Sequence, residues 1–472
     1  MGELCGSSEQ IDDRIGGAAC RQQKRGNMNK ADYMKHLRER LERFSQELQD
    51  EILEDYEQHF AEGEKQGKSE EEIVRELGNI EEMIQELSDV DAESGKESSA
   101  GAGEEVPAGI VESDSAVTEQ NYTFDVRYEA IELEGAIANL LLETSVDGKL
   151  HIEYRNDLEE KYRQLCNFYY YEKNGVFHAG VKVREAERKV KFFGRILTMS
   201  GSFSWGEDDL SLQVKVPSEM PRLSFATSSG DVRMDGISVG RLQGKTTSGD
   251  VKVVEIKAEE LRISATSGDL ELEDVKVRKA DLSTTSGDVA VEGTKAENIR
   301  VNTGSGDIEI ARATDIVSGE FITASGDIEA DIYADTVSFS TASGDIEANA
   351  GARAVTCNST SGDIHAVMIR PNKQADRSAS NCVIKCNTTS GDIKAFTSEN
   401  PIQADMNSVS GDIRFGMELS SGMETTVNTV SGDIGIRWQG RRQEVGRGYY
   451  RFGDGSSKVK VNTVSGDIEI DG

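Results

Sequence analysis

The sequence predicts a mainly β protein: a parallel β-solenoid of about 19–20-residue Ser-Gly-Asp repeats, preceded by a small all-α domain and an acidic linker. Three observations predict it. The triplet Ser-Gly-Asp occurs twelve times, ending at Asp231, Asp250, Asp269, Asp288, Asp307, Asp327, Asp345, Asp363, Asp392, Asp412, Asp433 and Asp467. The first five of its glycines, Gly230 to Gly306, stand 19 residues apart, and a fixed period of roughly 20 residues marks a stacked array. The flanks alternate with period two, as in Leu261, Ile263, Ala265 before the triplet and Leu270, Leu272 after it. That is the pattern of a half-buried strand.

Each repeat over 226–472 therefore reads as a strand, a tight corner at the triplet, a second strand and a variable return. Glycine is expected there because it reaches positive φ without steric cost, and Ser and Asp because they bond their own backbone at a corner. A single repeat offers too little core to stand alone. Its inward apolar side chains gain roughly 1.5–3 kcal/mol each, against roughly 1–2 kcal/mol of backbone entropy per residue. Repeats must stack to share a core, and twelve corners about 4.8 Å apart span roughly 53 Å. An antiparallel meander with hairpins at the triplets is the competing topology. The long intervals, 29 residues from Gly362 to Gly391 and 34 from Gly432 to Gly466, argue for the coil. Both excess segments, 371–381 and 439–457, follow the second strand, so the insertions fall at one corner only.

Residues 1–27 show no period and read as a disordered leader, with Met28 expected to be the natural start and Lys24-Arg25-Gly26 a translated ribosome-binding site. Residues 28–90 are helical. Met34, Leu37, Leu41 and Phe44 recur at spacings of three and four, and Leu48, Ile52, Tyr56 and Phe60 at four. Ser45 is a candidate N-cap, Ser69 with Glu72 a capping box, and Gly78-Asn79 a stop. Residues 91–120, rich in Ser, Gly, Ala and Glu, read as a flexible acidic linker. Residues 121–225 turn to strands, with a hairpin expected at Asp147-Gly148 between 140–144 and 150–154. This stretch is expected to cap the first rung, since an open solenoid end must be shielded.

Two segments resemble known families. The stretches from Ile52 to Phe60 (Ile-Leu-Glu-Asp-Tyr-Glu-Gln-His-Phe) and from Gly67 to Gly78 are similar to the HAAS-type helical signalling domain of Gram-positive bacteria. That resemblance implies a domain that usually precedes membrane segments and accompanies transcriptional regulators. The stretch Leu212 to Pro217, followed by Phe225 to Val232 and its copies, resembles a bacterial β-strand-repeat family of unknown function described as putative adhesins. It implies a non-enzymatic solenoid, with some relatives tied to envelope stress.

Composition narrows the function. The chain has 472 residues and a net charge of −33, which disfavours nucleic-acid phosphates and anionic membranes and favours solubility. No run of 18 apolar residues and no signal peptide is visible, so a cytoplasmic location is expected. No Ser-His-Asp elbow, P-loop or Gly-x-Gly-x-x-Gly follows a strand, the repeat has no break with clustered carboxylates, and only five histidines occur. No enzyme activity, cofactor, small-molecule substrate, catalytic residue or metal site is predicted. Cys357 and Cys386, each four residues before a triplet serine, are expected as inward thiols on successive rungs, with a disulfide or a zinc site with Cys382 as alternatives. His59 reads as a boundary residue of its helix. The rows of Thr and Ser before the triplets read as stacked hydroxyls. The basic run Lys182 to Arg195 reads as a solvated hairpin or loop, or as a contact with lipid or an acidic partner. The basic-aromatic segment 437–452 reads as a candidate interface. The expected function is a scaffold: the helical domain docks a regulatory or membrane partner and the solenoid presents a rigid acidic surface. The alternative is an adhesin-like surface protein.

Overall fold

A computed structural model gives the architecture. It describes residues 30–41, scattered positions between 49 and 80, and then 110–112, 118–125, 127–158, 160–183, 210–369, 382–399, 401–418 and 422–472. Two units are separate in it. In the first, the helix Lys30–Leu41 buries Met34, Leu37 and Leu41, as the three-four spacing predicts, and Tyr33 beside them. Tyr33 stacks on Tyr56 and meets Phe60 edge-on, with ring centroids 5.9 and 6.0 Å apart. Phe44, Ser45, His59, Glu72 and the leader lie outside the described residues.

In the second unit the repeats wind as a parallel coil. Strands before the triplet pair in parallel with their counterparts one repeat away, so that Leu242, Leu261, Ala280 and Ile299 lie in register. Strands after it do the same, aligning Val232, Val251, Leu270, Val289 and Ile308. These in-register residues are all at most 1 % exposed, so one continuous core runs through every rung. In the middle rungs the return is itself hydrogen-bonded as strand. Ile308–Ile322, Ile328–Ser340 and Ile346–Asn358 each run unbroken from one corner towards the next.

The triplet glycine has a different cause from the expected one. Among the triplet glycines only Gly432 and Gly466 have positive φ, 152° and 155°. The others are needed because rungs approach closely at the corner. A Cβ on Gly249, Gly268, Gly287, Gly306, Gly326, Gly344, Gly362, Gly391 or Gly411 would stand 1.9–2.2 Å from the carbonyl oxygen of the glycine one rung before. Side chains around the glycine hold that approach. Thr303 Oγ1 accepts from Gly306 N–H at 3.1 Å and donates to the Gly287 carbonyl at 3.0 Å. Thr284, Thr323, Thr341 and Ser359 repeat the clamp. The aspartates form a second ladder. Asp307 N–H donates to Asp288 Oδ1 at 2.8 Å, Asp327 N–H to Asp307, and so on up the stack.

Both ends depart from chain order. At the C-terminal end the last coil, Ser457–Asn462 and Ile468–Asp471, does not stack outermost. It lies between the rung of Ile402–Asn407 and Ile413–Met417 and the rung of Gly422–Asn428 and Ile434–Trp438. The outermost rung is closed by antiparallel strands Arg441–Val445 and Gly448–Gly453. The sequence-based picture of a coil stacked in chain order is thus corrected at its last lap. At the other end, Ala130–Ala136 and Asn139–Thr144 make a rung that lacks the triplet but pairs in parallel with Met220–Thr227 and Val232–Asp235. Asn139 Oδ1 starts the ladder by accepting Asp231 N–H at 3.0 Å. The turn at Asp147-Gly148 does not close a hairpin. Leu210–Val216 inserts between the two strands it joins, pairing with Asn139–Thr144 and Leu150–Asn156. Antiparallel strands complete this cap.

Candidate functional site

The aspartate row is the most repeated polar feature, and its geometry is structural. One oxygen of each carboxylate below the outermost rung of Asp433 is committed to the next rung's amide. Among the described residues no cluster of three His, Cys, Asp or Glu side chains is arranged to hold a metal. Asp250 carries a pH signature. Burial of the Asp250 carboxylate against the corner backbone, though its outer edge is exposed, raises its pKa; the Asp269 amide lowers it and the Asp231 and Asp269 charges raise it. A carboxyl whose folded pKa is raised contributes stability below its unfolded pKa, near 3.9, and loses it as pH rises through the folded value. Asp250→Asn keeps an acceptor, as Asn139 does natively. It is expected to raise the thermal midpoint at neutral pH and to leave it unchanged below about pH 3; equal midpoints at neutral pH would refute it.

Cys357 and Cys386 are in register on adjacent rungs, both fully buried, as free thiols. The hydrogen bond its S–H donates to Cys357, and then burial, push the Cys386 thiol well up, so it stays protonated and inert. Cys382 is also a buried free thiol, in register with Ile402. A ladder the sequence reading passed over runs beside them. Asn387 Nδ2 donates to Asn358, Asn407 to Asn387, Asn462 to Asn407, and Asn428 to Asn462, at 2.8–2.9 Å. The signal was visible as an asparagine five residues before each of those triplet aspartates.

The basic-aromatic segment proves to be part of the terminal cap. Trp438 stacks on Phe452 at 5.5 Å, and Trp438, Tyr450 and Phe452 pack against the core. Arg451 pairs with Glu424, and Arg437 with Asp471. Tyr449 remains 59 % exposed. Of the other basic run, Lys182 lies in the strand Val176–Val183, and Arg184 to Arg195 fall outside the described residues.

A groove of about 440 Å³ at the N-terminal cap holds a Thr-His-Asp chain of polar contacts. His151 Nε2 lies 2.8 Å from Asp147 Oδ1, and its Nδ1 lies 3.1 Å from Thr123 Oγ1. Thr123 and His151 are direct cross-strand partners, so this contact is an ordinary pair of the ladder. Asp147 also accepts from Lys149 N–H and Ser145 Oγ. Those donors, His151 first, hold its carboxyl well below the usual carboxylate range. The arrangement braces the Asp147-Gly148 turn against the sheet.

The outward face of the sheet formed after the triplets shows an unusual charge order. Glu309, Glu329, Glu347, His365, Lys394 and Arg414 form one column in register. Beside it, Phe396 is 42 % exposed and lies over Gly416.

Comparison with known proteins places these features. A family model described as Toastrack DUF4097 matches residues 128–353 and 330–471, and a HAAS model matches 32–86. None of the curated proteins matches. Among solved structures, a "putative lipid binding protein" from Parabacteroides distasonis ATCC 8503 shares 16 % identity over 64 % of this chain and 97 % of its own, with a TM-score of 0.30. A "putative adhesin" from the same organism shares 13 % identity over 75 % and 98 %, with a TM-score of 0.28. Another, from Parabacteroides merdae ATCC 43184, shares 14 % over 75 % and 97 %, with a TM-score of 0.27. These superpositions are too loose to bear on function.

Proposed function

The chain belongs to the Toastrack DUF4097 family, and from that premise we propose that it is a non-enzymatic interaction scaffold whose helical part docks a regulatory or membrane-bound protein partner. The observation that carries this reading is the regularity of the coil. Like positions lie in register from Ile131 to Ile470, so the outward faces are stiff, ordered arrays of side chains held by the core beneath. Stiff arrays suit presentation and recognition rather than a closing active site. The HAAS match over 32–86 supports the division of labour. We place the chain on the cytoplasmic side, with envelope-stress signalling as the process it serves. No helix among the described residues is long and apolar enough to cross a membrane.

The test compares affinity capture by the full chain and by a chain starting at residue 91. A regulator or membrane protein retained only by the full chain is the expected result. Identical captures would overturn the docking role. The rival reading, an adhesin-like binding protein, predicts a pool at the cell surface on fractionation.

A further inference from the structure

We infer that the charged face of the solenoid is a self-complementary surface on which a second copy of this chain docks, antiparallel and related by a two-fold axis. The inference starts from the column Glu309, Glu329, Glu347, His365, Lys394, Arg414. Elsewhere on the coil many adjacent rungs pair opposite signs, although Lys257, Lys276 and Lys295 also stack in register. Arg241 meets Glu260, Lys252 meets Glu271, Arg262 meets Asp281 and Arg300 meets Glu320. That order is the stabilising one, because like charges directly opposite in a sheet repel. This column instead stacks three carboxylates and then a histidine, a lysine and an arginine. Its internal pairing is slight. His365 lies 3.9 Å from Glu347 and Arg414 4.0 Å from Glu469. Lys394 makes no ion pair among the described residues.

The order is costly for one chain and matched to two. A two-fold axis lying in the interface, parallel to the strands and passing between the Glu347 and His365 rungs, sets Glu347 against His365, Glu329 against Lys394 and Glu309 against Arg414 of the other copy. Each column of about 24 Å, five intervals of roughly 4.8 Å, is thereby neutralised along its whole length. An isologous interface requires this kind of self-complementarity. The next positions outward fit as well: Ala290 is in register before Glu309, and Glu469 after Arg414, so the symmetry sets alanine against glutamate with no repulsion. The partly exposed Phe396 on the same face contributes apolar area beside the charges. Flat faces of this size, with charges at the centre, give a weak and salt-sensitive dimer.

This goes beyond the scaffold reading and can fail without it. The experiment is sedimentation velocity of the full chain at low and high salt, with circular dichroism to verify folding. The wild-type chain is expected to dimerise at low salt and to dissociate as salt rises. Lys394→Glu with Arg414→Glu makes the column acidic, and Glu309→Lys with Glu329→Lys makes it basic. Each double variant alone is expected to lose at least about tenfold in self-association. The two mixed are expected to form a one-to-one heterodimer, because every facing pair is again opposite in sign. A monomeric wild type at low salt, a dimer indifferent to both variants, or variants that fail to associate when mixed would each overturn the inference. Partner capture by the monomeric variants tests the scaffold reading separately.

Discussion

Gly326→Ala is expected to destabilise the solenoid by about 3 kcal/mol or more, the high end of what overpacking costs. The added Cβ would lie 2.0 Å from the Gly306 carbonyl oxygen, 2.5 Å from its carbon and 2.8 Å from Asp307 Oδ1. Two of those atoms are backbone, so no side chain can swing aside. The rung cannot simply lift, because Gly326 N–H is held by Thr323 Oγ1, which is itself bonded to the Gly306 carbonyl. Separating the rungs there breaks the clamp and the aspartate bond from Asp327 together. Gly446→Ala is the control, since nothing lies within 4 Å of the atom it adds. Urea titration should show a large drop in midpoint for the first variant and none for the second. A loss at Gly326 below about 1 kcal/mol would mean that the corner yields, and the close-approach account of the glycine row would be wrong.

Ending the chain after Ser456 is expected to have the larger effect. The missing coil buries Val459, Val461, Ile468 and Ile470, all 0–2 % exposed. Those four side chains are worth roughly 6–12 kcal/mol of burial. Their loss leaves a slot rather than a shortened end. The Asn462 bridge between Asn407 and Asn428 goes, as does the Asp467 bridge between Asp412 and Asp433. Hydrogen exchange should therefore show lost protection across 402–453, upstream of the cut. If the rungs stacked in chain order, the cut would trim an outer lap and leave 422–438 protected; that result would refute the inserted topology.

Much of this architecture is legible in the residues. The recurrence of the triplet gives the number of corners, and the alternation around it gives the inward set, down to the pairing of Cys357 with Cys386. The reason for the glycine is not legible, because positive φ and close approach select the same residue. The rung at 130–144 is hidden because Ala138-Asn139 does the work of Gly-Asp: Asn supplies the acceptor, and Ala138 stands at the glycine position, its carbonyl oxygen facing Gly230. The insertion of the last coil leaves no mark. Asn428 to Asp433 and Asn462 to Asp467 are the same six residues, Asn-Thr-Val-Ser-Gly-Asp, so either could occupy either level. Their order is decided by the 439–457 segment, whose strands pair antiparallel with the outer rung and turn the chain back. The charge column likewise needs the register, since its members are spread over about a hundred residues of sequence.

The threaded last lap has a consequence for how the protein is made. Domains emerging from a ribosome tend to fold from the N-terminal side as units complete. Here rungs up to Met417 can be added one upon another as they are synthesised. Gly422–Trp438 cannot be seated, because the layer beneath it is encoded last. The nascent protein must therefore hold that segment unfinished until Ser457–Asp471 has been synthesised, and a ribosome stalled before Ser457 would carry a chain with an uncovered growing edge.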